Sequence, residues 1–249
     1  MGVHDRAART RALELVAAGY PLAEVSRRLA ISRAAIRAWA LDPQQALAAR
    51  PGDACFVEAG RPCPDAATYA YLLGQYLGDG HLVTSSKVPV LRIACADAYP
   101  GIAAEVDAAM AVTSGNRVGS VARIGCAEHY CYWKHWPCLL PQHGPGRKHE
   151  RPIELANWQR AIVEAHPWPL IRGLLHSDGC RAINRVSVHG VRYSYPRYFF
   201  ANESADILRI MGDALDRVGV AWRLNRPNSI SVARRDAVAA LDAHVGPKR

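Results

Sequence analysis

The sequence predicts an α+β protein: a duplicated core, each half running helix, strand, strand, helix, strand, strand, helix, preceded by a small all-α domain. Three observations predict it. The stretch Leu72 to Gly80 (LLGQYLGDG) returns in diverged form as Ile171 to Gly179 (IRGLLHSDG), its aspartates Asp79 and Asp178 lying 99 positions apart. After each copy, helical spacing and strand-like alternation of apolar residues follow one another in the same order. The first forty residues break into short amphipathic stretches divided by Gly19 and Ser32.

Arg6 to Ala18 has apolar residues at helical spacing and is stopped by Gly19; Pro21 sits where a first turn tolerates proline and opens a helix over Leu22 to Leu29. Ser32 caps a third helix, Arg33 to Leu41, which ends before Pro43. With a tight turn at Ala30-Ile31, residues Leu22, Val25, Leu29, Ile31, Ile36 and Trp39 face inward, while Arg33, Ala34 and Arg37 face out. The run Leu22 to Ser32 (LAEVSRRLAIS) resembles the helix-turn-helix modules of resolvases, transposases and many bacterial regulators. That resemblance implies DNA contact through Arg33 and Arg37. Residues 1–42 are thus a helix-turn-helix domain, and 43–64, rich in proline and glycine, a linker.

The first repeat, 65–165, begins with Asp65 capping a helix over Ala66 to Gly78. Strands are expected at His81 to Ser85 and Val88 to Cys95, and then a helix from Asp97, with Pro100 in its first turn, to about Ala111. Strands over Asn116 to Ile124 and Glu128 to Trp136 follow, the second placing Tyr130, Tyr132 and Lys134 on one face and His129, Cys131, Trp133 and His135 on the other, before a helix over Ile153 to Ala165. The second repeat, 166–249, gives a helix at Trp168 to Ser177 and strands at Ala182 to His189 and Arg192 to Ala201. Asn202 or Ser204 caps the next helix, a hairpin turns at Arg226-Pro227-Asn228, and Arg235 to Val245 is the closing helix.

Within the repeated motif, small residues stand four apart: Gly74 and Gly78 in the first copy, Gly173 and Ser177 in the second. They let two helix backbones approach closely, and the glycine after each aspartate is expected to supply a left-handed exit. Helices packed along these faces end with Asp79 and Asp178 side by side. An aspartate at a helix C-terminus opposes the macrodipole, so a compensating cation between two of them is the economical account.

The chain has 31 Lys and Arg against 22 Asp and Glu, a net charge of +9 and a pI near 9.4, mostly carried by arginine. This predicts a polyanionic partner, since guanidinium pairs bidentately with phosphate and guanine. No apolar run reaches the roughly 20 residues of a membrane span, and the N-terminus is charged where a secretory signal needs an apolar core. The expected setting is the cytoplasm, at the bacterial nucleoid. The seven cysteines, 55, 63, 95, 126, 131, 138 and 180, include no C-x-x-C pair and are read as core or strand residues. His129, His135 and His143 beside the later group leave zinc as the lesser alternative.

Two such motifs, each followed by the same six elements, are similar to the LAGLIDADG homing endonucleases in their single-chain, two-repeat form, over residues 65 to 245. Lys148 to Glu154 (KHERPIE) resembles the basic connection preceding the second motif in intein-encoded members, and Phe200 to Leu208 resembles their capped strand-to-helix segment. The resemblance implies a pseudo-twofold axis along the motif helices and an antiparallel saddle lying in the major groove of double-stranded DNA. Candidate contacts are Lys87, Arg92, Arg117, Arg123 and Lys134 in the first repeat and Arg185, Arg192, Arg197, Arg223 and Arg226 in the second. It also implies phosphodiester hydrolysis with Mg2+ or Mn2+ held by Asp79 and Asp178, assisted by a basic residue from each repeat. Lys148 serves in the first; the second offers Arg234 or Arg235 in place of lysine, and Gln75 and His176 replace more usual motif residues. Two readings stay open, a metal-dependent endonuclease and a non-cleaving transcriptional regulator, with a monomer sufficient for either and a dimer not excluded. The arrangement at the end of the motif helices discriminates: open carboxylates favour the nuclease, a site plugged by His176 or Arg172 the regulator.

Overall fold

In a computed structural model described over residues 6–47, 54–246 and 248, the chain divides into two compact units, residues 1–55 and 56–249. The first contains α1 (Arg6–Ala17), α2 (Leu22–Leu29), α3 (Arg33–Leu41) and α4 (Pro43–Leu47). Ala30, at φ 54°, makes the tight left-handed turn between α2 and α3, and Ser32 Oγ accepts the Ala35 N–H at 3.2 Å. Ala12, Val25, Ile31 and Ile36 form the buried centre of this unit. Arg33 and Arg37 are exposed on α3. The stretch read as linker is structured at its start: α4 packs on α1 and α3 through buried Ala46.

The second unit holds two seven-element repeats. The first runs α5 (Ala66–Leu77), β1 (Gly80–Val83), β2 (Val90–Ala96), α6 (Pro100–Ser114), β3 (Val118–Arg123), β4 (Cys126–Tyr132), a short added turn α7 (Trp136–Leu139) and α8 (Asn157–Ala165). The second runs α9 (Pro167–Asp178), β5 (Gly179–Val188), β6 (Val191–Ala201), α10 (Ala205–Arg217), β7 (Arg223–Arg226), β8 (Ser229–Val232) and α11 (Arg235–His244). Each repeat has one antiparallel four-stranded sheet, β1-β2-β4-β3 and β5-β6-β8-β7. The α+β duplication is as expected.

Helix α5 is apolar all round, and every residue from Tyr69 to Leu77 is buried, which marks a core helix. It packs on α9, α6 and α8. Phe56, in the stretch read as linker, packs edge-on against Tyr69 and Trp158, at centroid distances of 6.0 and 5.4 Å. The sheet alternation is clean in the first repeat. Leu91, Ile93, His129 and Cys131 are buried, whereas Arg92, paired across the sheet with Tyr130, faces away from the core with His81.

Four local expectations are corrected. β4 stops at Tyr132 because Trp136, fully buried, turns inward and donates its Nε1–H to Cys131 O at 2.9 Å, starting α7. Asp97 does not cap α6; Tyr99 occupies the N-cap without a side-chain bond, and the helix runs on to Ser114, where Gly115 at φ 69° ends it. The helix expected from Ile153 begins at Asn157, and the Ile153 N–H is instead bound by Asp206 at 2.9 Å. The motif glycines make no left-handed exit: Gly179 has φ −94°, and a Cβ there would lie 2.6 Å from Leu175 O. A Cβ on Gly80 would likewise lie 2.4 Å from Tyr76 Cα, so glycine is needed for close approach, as each strand folds straight back along the last turn of its helix.

Candidate nuclease site at the paired helix ends

The motif helices touch backbone to backbone. A Cβ on Gly74 would lie 2.6 Å from Leu170 O, one on Gly173 2.2 Å from Tyr71 O, and one on Gly78 2.1 Å from Ser177 Oγ. This contact brings the helix ends together, and the Gly78 Cβ position is also 3.0 Å from Asp178 Oδ2. Asp79 is exposed at the mouth of the site and Asp178 half-buried. Asp178 lines a cavity of 630 Å³ together with Asn202, Lys148, Tyr76 and His81, and Gly78 and Gly80, on either side of Asp79, line it too.

Burial sets the electrostatics of the two carboxylates. The surrounding protein pushes Asp79 up to about 6, and the charge of Asp178 adds to the rise; Lys148 and Lys248 pull the other way. Burial also raises Asp178, opposed by the Asn202 amide, which donates to its Oδ2 at 2.7 Å, and by the same two lysines. Asn202 is itself fixed by accepting the Ser204 N–H at 2.8 Å. The donor set is carboxylate oxygen, which suits a hard divalent ion such as Mg2+ or Mn2+, and such an ion between them would favour the ionised forms that burial, and for Asp79 also the neighbouring charge, disfavour.

Lys148 is held at the end of α5: its Nζ donates to Leu77 O at 3.1 Å, to Gly78 O at 2.7 Å and to Tyr76 O. It thereby satisfies carbonyls that a helix end leaves without partners. Burial lowers it to about 8, with Asp178 and Asp79 drawing it upward. The second lysine is the one that sequence reasoning missed. Lys248 Nζ donates to Ser177 O at 3.1 Å, and its charge acts on both aspartates. Burial lowers it as well, opposed first by Asp79. Arg234 is exposed and turned to Asp236 at 3.0 Å, and Arg235 is exposed at the start of α11. The expectation of an arginine there is replaced by a lysine from the end of the chain, a position that comparing the two repeats does not reveal, because Lys148 precedes α8 whereas Lys248 follows α11.

Neither residue named as a possible plug enters the site. Arg172 forms a bidentate pair with Glu105, at 2.8 and 2.9 Å, and also donates to Val245 O. His176 is buried, its Nδ1 3.2 Å from Tyr71 Oη and its Nε2 3.3 Å from Val245 O, while Gln75 donates to the same Tyr71 hydroxyl at 2.9 Å. The two unusual motif residues thus form one internal hydrogen-bonded chain on the far side of α9.

The candidate DNA contacts are scattered. Arg123 is exposed on β3, Arg117 just before it, and Lys87 in the β1–β2 connection. Arg92 is ion-paired with Glu128, which Arg123 also approaches at 3.7 Å. Lys134 is half-buried after β4. Arg223 and Arg226 are exposed on β7, and Arg185 and Arg192 near the tip of the long β5–β6 hairpin, where alternation places them on the opposite face from Tyr193 and Tyr195. Arg197 is a correction: it is 8% exposed, its Nε–H donates to Ser231 Oγ at 2.7 Å, and its guanidinium lies 5.0 Å from the Phe199 ring centroid. It is packed into the sheet and cannot reach a duplex as placed.

No family model and no curated protein matches the chain. Solved structures do. The LAGLIDADG meganuclease I-AabMI bound to uncleaved DNA is 11% identical with a TM-score of 0.46, over 71% of this chain and 82% of that one. I-DmoI in complex with DNA and Mn is 15% identical with a TM-score of 0.44, over 72% and 97%. The N-terminal LAGLIDADG domain of DUF199/WhiA is 10% identical with a TM-score of 0.46, over 74% and 83%. These likenesses are of fold and are loose; the functional reading rests on the motif helices and the groups at their ends. Among the described residues no helix is long and apolar enough to cross a membrane.

Proposed function

We propose that this chain is a LAGLIDADG-type, sequence-specific double-stranded-DNA-binding protein that cleaves its target with a divalent metal ion. The observation that carries the reading is the end of the α5–α9 pair: two carboxylates, the charge of Asp178 raising Asp79, with Asp178 lining a cavity and Lys148 and Lys248 flanking the pair. A structural aspartate pair would have been neutralised by a direct ion pair or hydrogen-bonded into the fold. Here, among the described residues, only Asp178 of the two has a side-chain partner, Asn202, and both lysines bind carbonyls instead.

Asp79 and Asp178 would hold the metal, which when bound lowers the pKa of the attacking water and stabilises charge on the phosphoryl oxygens. Asn202 fixes the rotamer of Asp178. The ammonium of Lys148, with a pKa of about 8, carries its proton at neutral pH and is acidic enough to give it to a departing 3′ oxygen. Lys248 supplies positive charge where negative charge develops on the second side of the axis. We place the DNA across the outer faces of the two sheets, with Arg33 and Arg37 extending the contact through the N-terminal module.

The test begins by selecting bound sequences from a random duplex library. The best is then incubated with the protein and Mg2+ or Mn2+. Cleavage that disappears in Asp79→Asn and Asp178→Asn, with binding retained, is expected. Intact DNA at concentrations that saturate wild-type binding would overturn the nuclease reading and leave a DNA-binding regulator, for which the helical N-terminal unit would be the main reader.

A further inference from the structure

Away from the paired aspartates, a second group of ligating side chains converges beside the first strand-rich sheet. His135 Nδ1 is 2.9 Å from Glu58 Oε2, and Cys138 Sγ is 3.1 Å from Glu58 Oε1. Cys55, next to Phe56 and three residues ahead of Glu58, completes the set: one ligating atom from each of the four lies within 4.8 Å of all the others. Cys55 and His135 are buried, at 4% and 3% exposure, Cys138 is half-buried, and Glu58 forms the outer rim. We infer that Cys55, Glu58, His135 and Cys138 form a structural zinc site.

The chemistry of the set selects the ion. Two thiols, an imidazole and one carboxylate are a borderline-soft tetrahedral donor set, which suits Zn2+ and is poor for the hard ions that an all-oxygen pair takes. The spacing is that of two zinc-binding turns, C-x-x-E and H-x-x-C. In the second, the Cys138 N–H donates to His135 O at 3.0 Å, so both side chains leave one turn of α7 on the same side. Ligand atoms within 4.8 Å of each other, without a centre, match donors drawn around an ion with bonds of about 2.0 to 2.3 Å. Zinc binding would release the two thiol protons to solvent, with no change of oxidation state. Zinc would pin the segment before α5 to α7, where the stretch that delivers Lys148 to the helix ends begins. The site is independent of the nuclease reading.

The full-length protein, purified with zinc and reductant, should hold one zinc per chain. Replacing it with Co2+ should give the d–d absorption and thiolate charge-transfer bands of a tetrahedral cysteine site. Cys138→Ser should abolish the charge-transfer intensity contributed by its sulfur and release the zinc, and Asp79→Asn with Asp178→Asn should keep both. If Cys138→Ser does not fold, the wild-type Co2+ spectrum still decides, because an oxygen-only site gives no thiolate band. Zinc-free wild-type protein after zinc supplementation, a Co2+ spectrum without thiolate bands, or a Cys55–Cys138 disulfide in reductant-treated protein would each overturn the inference.

Discussion

Lys148 and Lys248, a hundred residues apart in sequence, do the same thing at opposite sides of the pseudo-twofold axis: each closes the C-terminal end of one motif helix through its ammonium, at 2.7 Å from Gly78 O and 3.1 Å from Ser177 O. Both act electrostatically on Asp79 and Asp178. If they serve the reaction, Lys148→Met and Lys248→Met should each lower cleavage by about 10² to 10³-fold, the usual scale for removal of a charge-stabilising or proton-donating group. Affinity for the intact duplex should change little by comparison. Single-turnover cleavage with DNA saturated separates the two effects. A loss matched by an equal fall in affinity would make these residues DNA anchors instead.

The raised Asp79 has two measurable consequences. Metal binding needs the ionised carboxylate, so Mn2+ affinity and cleavage should both fall as the pH drops below about 6. In metal-free protein the sign for stability is the reverse. A folded-state pKa raised above the ordinary 3.8 means that the contribution of the protonated group is complete below pH 3.8 and is lost as the pH rises through about 6. Asp79→Asn should therefore raise Tm at pH 8 and leave it unchanged at pH 3.5, while abolishing cleavage. A metal-free Tm that falls at pH 8 in this variant would show that the charge is already compensated.

Glycine at the helix crossing is a requirement of space. A Cβ at Gly173 would meet Tyr71 O at 2.2 Å, and carbonyl backbone cannot rotate away as a side chain can. Gly173→Ala should cost at least the roughly 1 to 3 kcal/mol of overpacking, read by denaturant unfolding. Ser177→Ala removes only a hydroxyl bonded within its own helix, to Leu174 O at 2.9 Å, and should stay within about 0.5 kcal/mol of wild type. Equal stability for the two variants would mean that α5 and α9 can separate at little cost.

Much of the fold was legible because the motif writes its own geometry. Small residues four apart dictate a close helix crossing, and alternation dictates which strand face is buried, as with Arg92 and Tyr130 against Ile93 and His129. What stayed hidden depends on neighbours distant in sequence. Lys248 meets Ser177 across 71 positions, and nothing local marks it. Arg197 has the sequence context of a surface reader, yet Ser231, brought alongside by the β6–β8 pairing, and Phe199, two residues along its own strand, cover it. The Cys55 group escaped because its two turns are C-x-x-E and H-x-x-C, neither of which forms a cysteine pair.

His176 is a buried base on the motif helix α9, and its environment predicts an acid-sensitive core. Burial first and the Arg172 charge second lower it from 6.5 to about 4, so the folded imidazole is neutral, accepting from Tyr71 and donating to Val245 O. Because the folded value lies below the unfolded one, its contribution is complete above pH 6.5 and is lost as the pH falls toward about 4. The loss amounts to about 3 kcal/mol over that window. Unfolding free energies between pH 7 and 4 should slope accordingly, and His176→Gln, which cannot be protonated, should flatten that part of the curve. An unchanged slope in the variant would assign the acid sensitivity elsewhere.

The basic residues can be sorted by salt dependence. Exposed Arg223 and Arg226 on β7 are outside the packing that holds Arg197, so Arg223→Ala with Arg226→Ala should weaken binding and reduce the slope of log affinity against log salt by about 0.9 for each phosphate no longer neutralised. Arg197→Met should do neither. Its guanidinium is bound to Ser231 and covered by Phe199, so its removal should lower Tm while the salt slope holds. Titrations of the selected duplex at several salt concentrations, run beside thermal melts, separate these outcomes. A reduced slope for Arg197→Met would mean that β6 opens on binding to expose it.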